Sequence, residues 1–208
     1  RRHTRSLCDW SSDVCSSDLL VCAYKPTLGF YEVLGNEGWQ LLSEVLAAIP
    51  EDIPIILDAK YGDINTSSAL AHSIFTEWNV DAVTLNPYAG QDHAAPFLLY
   101  PDRGVFILCR TSNPGAIALQ EYPNAEAPLY LQIVKEAKNW GTPEQLFLEV
   151  GTADAEVLAK IRAIASERII LIRSIWSQKG NLAAILQAGL DTQGNGLLIP
   201  VPQDVFSQ

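Results

Sequence analysis

From Leu20 onward, short runs of aliphatic and β-branched residues alternate with stretches in which apolar residues recur at helical spacing. The runs at 20–24, 53–58, 82–85, 105–109, 146–150, 169–172 and 196–199 predict strands. Between them the spacing predicts helices at about 36–49, 66–78, 91–99, 128–140, 153–166 and 181–189. The stretch 153–166 shows the pattern well, with Val157, Leu158, Ile161 and Ile164 on one stripe and Glu156, Lys160 and Arg162 off it. Near-continuous apolar strands joined by helices imply a parallel sheet covered on its outer face. Seven such units is one short of a (β/α)8 barrel. An open doubly wound sheet is the competing architecture, but no glycine-rich first turn is present.

Polar residues cluster just after the predicted strands: Lys25, Asp58-Ala59-Lys60, Asn86, Thr111-Ser112-Asn113, Gly151-Thr152 and Arg173-Ser174. Barrel enzymes keep their chemistry at that end of the strands. We therefore expect an α/β fold of the TIM (β/α)8 type lacking its first βα unit. Residues 1–19, RRHTRSLCDWSSDVCSSDL, show neither period and resemble translated adaptor sequence. They are expected to be a non-native or disordered tail, leaving 20–208 as an incomplete barrel domain.

The segment IPIILDAKYGDINTSSA, residues 53–69, carries the candidate chemistry. Side chains alternate along a strand, so Ile56, Asp58 and Lys60 share one face, and Ile55, Leu57 and Ala59 the other. The first set points into a barrel and sets a carboxylate beside an ammonium at its mouth. In LVCAYKP, Val21, Ala23 and Lys25 share a face in the same way. Lys25, Asp58, Lys60 and Asp63 are thus expected to alternate in sign around one pocket. Charges at the end of an apolar strand are costly to desolvate, which favours a functional reading over plain structural ion pairs.

Composition narrows the partners. With 24 acids against 14 Lys and Arg the net charge is −10, which disfavours a nucleic-acid backbone. No apolar run approaches the roughly 18 residues of a membrane span. Cys8, Cys15, Cys22 and Cys109 lack C-x-x-C spacing and His companions, so a metal site is not indicated and a reducing cytoplasm fits. Cys22 and Cys109 lie in apolar runs and are expected to be buried thiols. His72 is expected on a helix surface, and His93 in a structural role. There is no Met, so the chain is expected to be a processed, trimmed or misassembled product.

DAKYGDI closely resembles the D-x-K-x-x-D motif of orotidine 5′-phosphate decarboxylases. AYKPTLGFYE, VTLNPYAGQD and CRTSNPGA are similar to the family's lysine strand, a following loop and the pyrimidine-contacting loop. FLEVGT, RSIWSQKGNL and GNGLLIPVPQD look most like the subgroup fused ahead of an orotate phosphoribosyltransferase, of which nothing is seen here.

The resemblance implies loss of CO2 from C6 of orotidine 5′-phosphate to give UMP, in pyrimidine biosynthesis, without metal or organic cofactor. It implies that Lys60 protonates C6, that Asp58 lies near the departing carboxylate, and that Lys25 holds Asp58 and the ribose hydroxyls. Asp63 would reach a partner subunit's site, implying a homodimer. Ser112 would contact the pyrimidine edge, or simply bond its own turn. Thr66 would bond a ribose hydroxyl across the dimer, or cap the helix it precedes. Gln178, Lys179 and Gly180 align with the phosphate loop. The family's Arg after the last strand is replaced by Pro and Val in GLLIPVPQ, leaving Arg173 as a substitute or as a helix-facing salt bridge.

Three other readings stay open. A magnesium-dependent sugar-phosphate decarboxylase would use the same frame with one more carboxylate, for which Glu32 is the candidate. A Schiff-base aldolase would use the lysine as nucleophile. An inactive truncated barrel is the third, because no convincing first-strand Asp precedes Leu20, and Asp9, Asp13 and Asp18 are unsupported. The chain as it stands is expected to show weak or no activity.

Overall fold

The computed structural model describes residues 21–176 and 181–201. Among these residues six strands form one sheet: β1 (Ile56–Tyr61), β2 (Ala82–Leu85), β3 (Gly104–Arg110), β4 (Leu146–Gly151), β5 (Ile170–Arg173) and β6 (Leu197–Leu198). Every neighbouring pair is parallel, and the spatial order follows the sequence from β1 to β6. A doubly wound sheet reverses direction at a switch point. This sheet never does, so each crossover moves one strand onward in the same sense, which is the winding of a barrel.

The helices are α1 (Gly29–Glu32), α2 (Asn36–Ala48), α3 (Ser67–His72), α4 (Gln91–Leu98), α5 (Ile117–Gln120), α6 (Leu129–Ala137), α7 (Ala155–Ile164) and α8 (Leu182–Gly189). All six predicted helices are present. The one at 66–78 changes from α3 to a π-helical stretch at Ser73–Glu77. The short α1 and α5 follow polar turns and carry too few residues to show a period.

Of the predicted strand 20–24, the described part, 21–24, does not form a regular strand. Tyr24 and Thr27 instead make isolated parallel bridges to Ile55 and Asp58. The backbone still runs along β1, with Tyr24 N donating to Pro54 O and Asp58 N to Pro26 O. Pro26 has no N–H to return, so the ladder is interrupted there.

Two apolar layers flank the sheet. Ile56, Ala82, Phe106 and Leu171 pack together on the inner face, with Ala23 and Phe147 against them. Ile55, Leu57, Val83, Val105, Ile107, Leu148 and Ile172 face the helices on the outer side. The predicted alternation along β1 therefore holds.

The end of the sheet where the strands begin is closed by two arginines. Arg162, placed off the apolar stripe of α7 by its charge, is in fact buried and donates to the carbonyls of Gly189, Ala165, Ser166, Arg168 and Gly196. Arg168 donates to the carbonyls of Lys138, Gly141, Thr142 and Leu146. Buried guanidinium groups with several fixed donors satisfy loop carbonyls that no strand reaches.

Candidate active site

One pleat above the inner apolar layer, the strands turn from hydrocarbon to charge. Ile56 is followed two residues on by Asp58, Ala82 by Thr84, Phe147 by Glu149 and Leu171 by Arg173. The period of two puts all four side chains on the inner face near the C-terminal ends of their strands.

Asp58 is the hub. Its carboxylate is 3% exposed and is ion-paired with Lys25 through Oδ2 and with Lys60 through Oδ1. Thr84 donates to Oδ1 at 3.1 Å, and Thr27 to Oδ2 at 3.4 Å. Burial alone would raise this carboxyl, but Lys25 and Lys60 outweigh it and hold it well below the usual carboxylate range. Burial likewise pulls the Lys25 ammonium down, against the attraction of Asp58.

Lys60 sits at an irregularity in the β1 to β2 register, between Leu57 and Tyr61, with φ of 50°. A non-glycine residue there carries backbone strain of order 1–3 kcal/mol unless its surroundings fix it. The buried Thr84 hydroxyl does so, accepting the backbone N–H of both Ala59 and Lys60 at 3.0 Å.

The expected four-charge array is present only in part. Lys25, Asp58 and Lys60 meet, while Asp63 is exposed and turns away. Its Oδ2 accepts from Thr66 N at 3.1 Å and Thr66 Oγ1 at 2.7 Å, and these bonds hold its carboxyl below the ordinary value. Gly62 breaks the strand ahead of it, so the residue falls on a turn beyond the pleat. Thr66 stands at the N-cap position of α3, yet its hydroxyl goes to Asp63 and not to the helix. His93 fastens this turn from α4: its Nε2 lies 2.8 Å from Tyr61 O and its Nδ1 3.2 Å from Asp63 O. That is the structural role expected of His93. His72 is exposed beside Glu77, also as expected.

The alternating ring is completed by two other residues. Glu149 Oε1 lies 3.7 Å from Lys60 Nζ and 2.9 Å from Arg173 Nη1, and Arg173 Nη1 lies 3.8 Å from Asp58 Oδ2. Asp58, Lys60, Glu149 and Arg173 therefore form a closed circuit of alternating sign, with Lys25 attached at Asp58. Arg173 is not helix-facing: its Nη1 lies against the two carboxylates. Glu149 was not singled out from sequence. The signal was a lone acid inside the apolar run LFLEVG, two residues before a glycine.

Ser112 and Ser174 share a hydrogen bond at 2.6 Å, joining the loops after β3 and β5 at this same end. Gly151 lets those loops close up, because a Cβ there would lie 3.0 Å from Ser112 N and from Thr111 Cα. Gln178 and Gly180, assigned to the phosphate loop, lie outside the described residues. Cys109 is buried, as expected, and its thiol is pushed up by burial and by Glu149. Cys22 is exposed, contrary to expectation, because the segment pairs along β1 only from Tyr24 onward and Cys22 lies before that pairing begins. Glu32, the extra carboxylate of the magnesium-dependent reading, is exposed on α1. Among the described residues no helix is long and apolar enough to cross a membrane.

A singly wound parallel α/β sheet with a lysine–carboxylate array at its C-terminal ends is a barrel that carries its charged site where barrel enzymes keep their chemistry. The orotidine 5′-phosphate decarboxylase / HUMPS family matches residues 5–172, and the chain belongs to that family. It is 65% identical over 202 residues to the bifunctional enzyme PyrF/PyrE of a Nostoc species, covering 97% of this chain and 42% of that protein. It is 42% identical over 184 residues to an orotidine 5′-phosphate decarboxylase of Dehalococcoides mccartyi, covering 86% of this chain and 68% of that one. Among solved structures, the UMP synthase of Leishmania donovani superposes with a TM-score of 0.90 at 39% identity, covering 97% of this chain and 46% of that one. The orotidine monophosphate decarboxylase of the same organism superposes with a TM-score of 0.87 at 39% identity, covering 97% of this chain and 79% of that one. The chain thus spans less than half of the first relative's length.

Proposed function

We propose that this chain carries the decarboxylase site that converts orotidine 5′-phosphate to UMP in pyrimidine biosynthesis. The observation that carries the proposal is the Lys25–Asp58–Lys60 array at the strand ends of a barrel, in a chain whose Dehalococcoides relative bears the name orotidine 5′-phosphate decarboxylase. The chemistry asks for such an array. Breaking the bond from C6 to its carboxyl carbon leaves an electron pair on C6 with no adjacent π-system to accept it, so fixed charge must stabilise it. Lys60 supplies that charge and then a proton: its N–H bond breaks as the C6–H bond forms, and the resulting amine is reprotonated from solvent. Asp58 holds the lysines and lies where the substrate carboxylate arrives. Two like charges about 4 Å apart repel by roughly 4 kcal/mol at an effective dielectric of 20. Lys25 orients Asp58 and the ribose, and Ser112 meets the pyrimidine edge. The reaction in this reading uses no metal or organic cofactor.

Phosphate falls to the loop containing Gln178 and Gly180. Asp63 and Thr66 complete the site of a second copy in a homodimer. Their exposure beside Ile64, itself 52% exposed, supports a contact at that turn. A phosphoribosyltransferase following in the parent polypeptide agrees with the bifunctional name of the Nostoc relative, and a cytoplasmic location agrees with that pathway. Residues 20–208 form the barrel domain in this reading, and 1–19 a tail.

The test is incubation with orotidine 5′-phosphate while following the absorbance change as UMP forms. It is run on the chain alone and on the chain extended by a first βα unit. Turnover abolished by Lys60→Ala supports the proposal. An extended chain that makes no UMP overturns it and favours the inactive barrel, while borohydride trapping of a keto substrate on Lys60 would favour the aldolase.

A further inference from the structure

We infer that Glu149 is a positioning residue for Lys60, a second carboxylate that holds the ammonium when Asp58 must release it, and that Arg173 keeps Glu149 in place. The inference rests on the decarboxylase reading above, and it adds a pair outside the D-x-K-x-x-D motif.

The geometry gives three reasons. First, Lys60 lies between two carboxylates from opposite parts of the sheet, bonded to Asp58 on β1 and 3.7 Å from Glu149 Oε1 on β4. The longer contact is a place the ammonium can move to without losing a counter-charge. Second, Glu149 is fully buried, and its Oε2 has no hydrogen-bond partner among the described residues. A buried carboxylate oxygen without a donor is costly, and such groups in a native site ask for a functional account. An ammonium swinging away from Asp58 supplies the donor. Third, Arg173 lies 2.9 Å from Glu149 Oε1 and 3.8 Å from Asp58 Oδ2, so it stays between both acids whatever Lys60 does.

The sequence of events then balances. The arriving substrate carboxylate crowds Asp58, and Lys60 moves toward C6 while Glu149 retains it. As the bond to CO2 breaks, the electron pair left on C6 takes a proton from Lys60. The amine is then neutral, and Arg173 and Lys25 remain to balance Glu149 and Asp58 one for one. Without Glu149, Lys60 has Asp58 as its one anionic neighbour in the ring, and it is drawn away from C6 as it must approach it.

The experiment compares Glu149→Gln, which keeps the shape, with the double variant Glu149→Gln/Arg173→Gln, which removes both charges and leaves no unpaired ion to unfold the barrel. Lys60→Ala is the control. Misplacing a reacting group by about 1 Å costs on the order of 100-fold, so kcat is expected to fall by about that factor in both variants, with KM changed less than about threefold. A nucleotide carrying a fixed anionic oxygen at C6 should bind roughly tenfold or more weakly to both, while UMP binding stays the same. Wild-type kcat in the single variant, or its recovery in the double variant, overturns the inference: Glu149 would then serve only as a counter-charge to Arg173. A chain that neither turns over nor binds either nucleotide, with Lys60→Ala indistinguishable from it, overturns the decarboxylase reading and this inference together.

Discussion

Thr84 donates its hydroxyl proton to Asp58 Oδ1 at 3.1 Å, and the Thr84 hydroxyl oxygen itself accepts the backbone N–H of Lys60. One buried hydroxyl thus fixes both the carboxylate and the strained residue that bears the neighbouring ammonium. Thr84→Val keeps the shape but removes a donor and an acceptor, leaving two buried amides unsatisfied. It should cost roughly 2–4 kcal/mol in urea unfolding and lower decarboxylase turnover by about tenfold or more. Thr84→Ser should restore most of both. Equal loss in Val and Ser variants would show that the methyl group, and not the oxygen, matters.

Asp58→Asn leaves Lys25, Lys60 and Arg173 facing one another with their shared counter-charge gone. Breaking a buried pair in this way costs about 3–5 kcal/mol. The sign of the pH dependence follows from the depressed carboxyl. Above the unfolded-state value of about 4, both folded and unfolded chains are ionised, and the stabilisation is fully present. As pH falls below that value toward the folded one, the unfolded chain takes up a proton that the folded chain refuses, and the stabilisation drains away. The stability gap between wild type and Asp58→Asn should therefore be constant from pH 7 to 5 and shrink below about pH 4. A gap of the same size at pH 3 and pH 7 would contradict this account of Asp58.

Gly151 is a prediction about placement. An added Cβ would press on the backbone of Thr111 and Ser112 at 3.0 Å. Backbone gives way less easily than a side-chain tip, so Gly151→Ala should shift the loop after β3 and part the Ser112–Ser174 bond. We expect KM for the nucleotide to rise several-fold with a stability loss of about 1–3 kcal/mol. An unchanged KM would remove Ser112 from the substrate site.

Arg168 lies at the opposite end of the barrel from the charged ring. Arg168→Met strips donors from the carbonyls of Lys138, Gly141, Thr142 and Leu146. Thermal unfolding should show a loss of about 3–5 kcal/mol, while kcat at a temperature where the protein stays folded should match wild type. A specific loss of kcat would mean that the two ends of the strands are coupled.

Most of the architecture was legible because it is periodic. Alternation along β1 put Ile56, Asp58 and Lys60 on one face, and the structure agrees; the 3.6-residue period located all six longer helices. What escaped was set by context. Pro26 interrupts the ladder beside β1, which an apolar run alone does not reveal. Arg162 carries a charge and so reads as solvent-facing, yet its reach lets it bury among carbonyls. Alternation of sign along the segment put Asp63 in the same pocket as Lys25, Asp58 and Lys60, but Gly62 ends the strand and turns the residue outward. Glu149 and Arg173 sit 24 residues apart on neighbouring strands. Nothing local in either segment announces the other, so their pairing needed the register of β4 on β5.

The charged ring and the inner apolar layer are built on the same strands, two residues apart. Ile56, Ala82 and Leu171 are thus both the floor of the barrel and the footing of Asp58, Thr84 and Arg173. A change of volume in that floor cannot be absorbed privately, because tilting one strand moves one member of the circuit against the others. Drift in these hydrophobic positions should accordingly be slower than burial alone would dictate, and laboratory evolution toward a new substrate should find its easier routes in the loops beyond the ring.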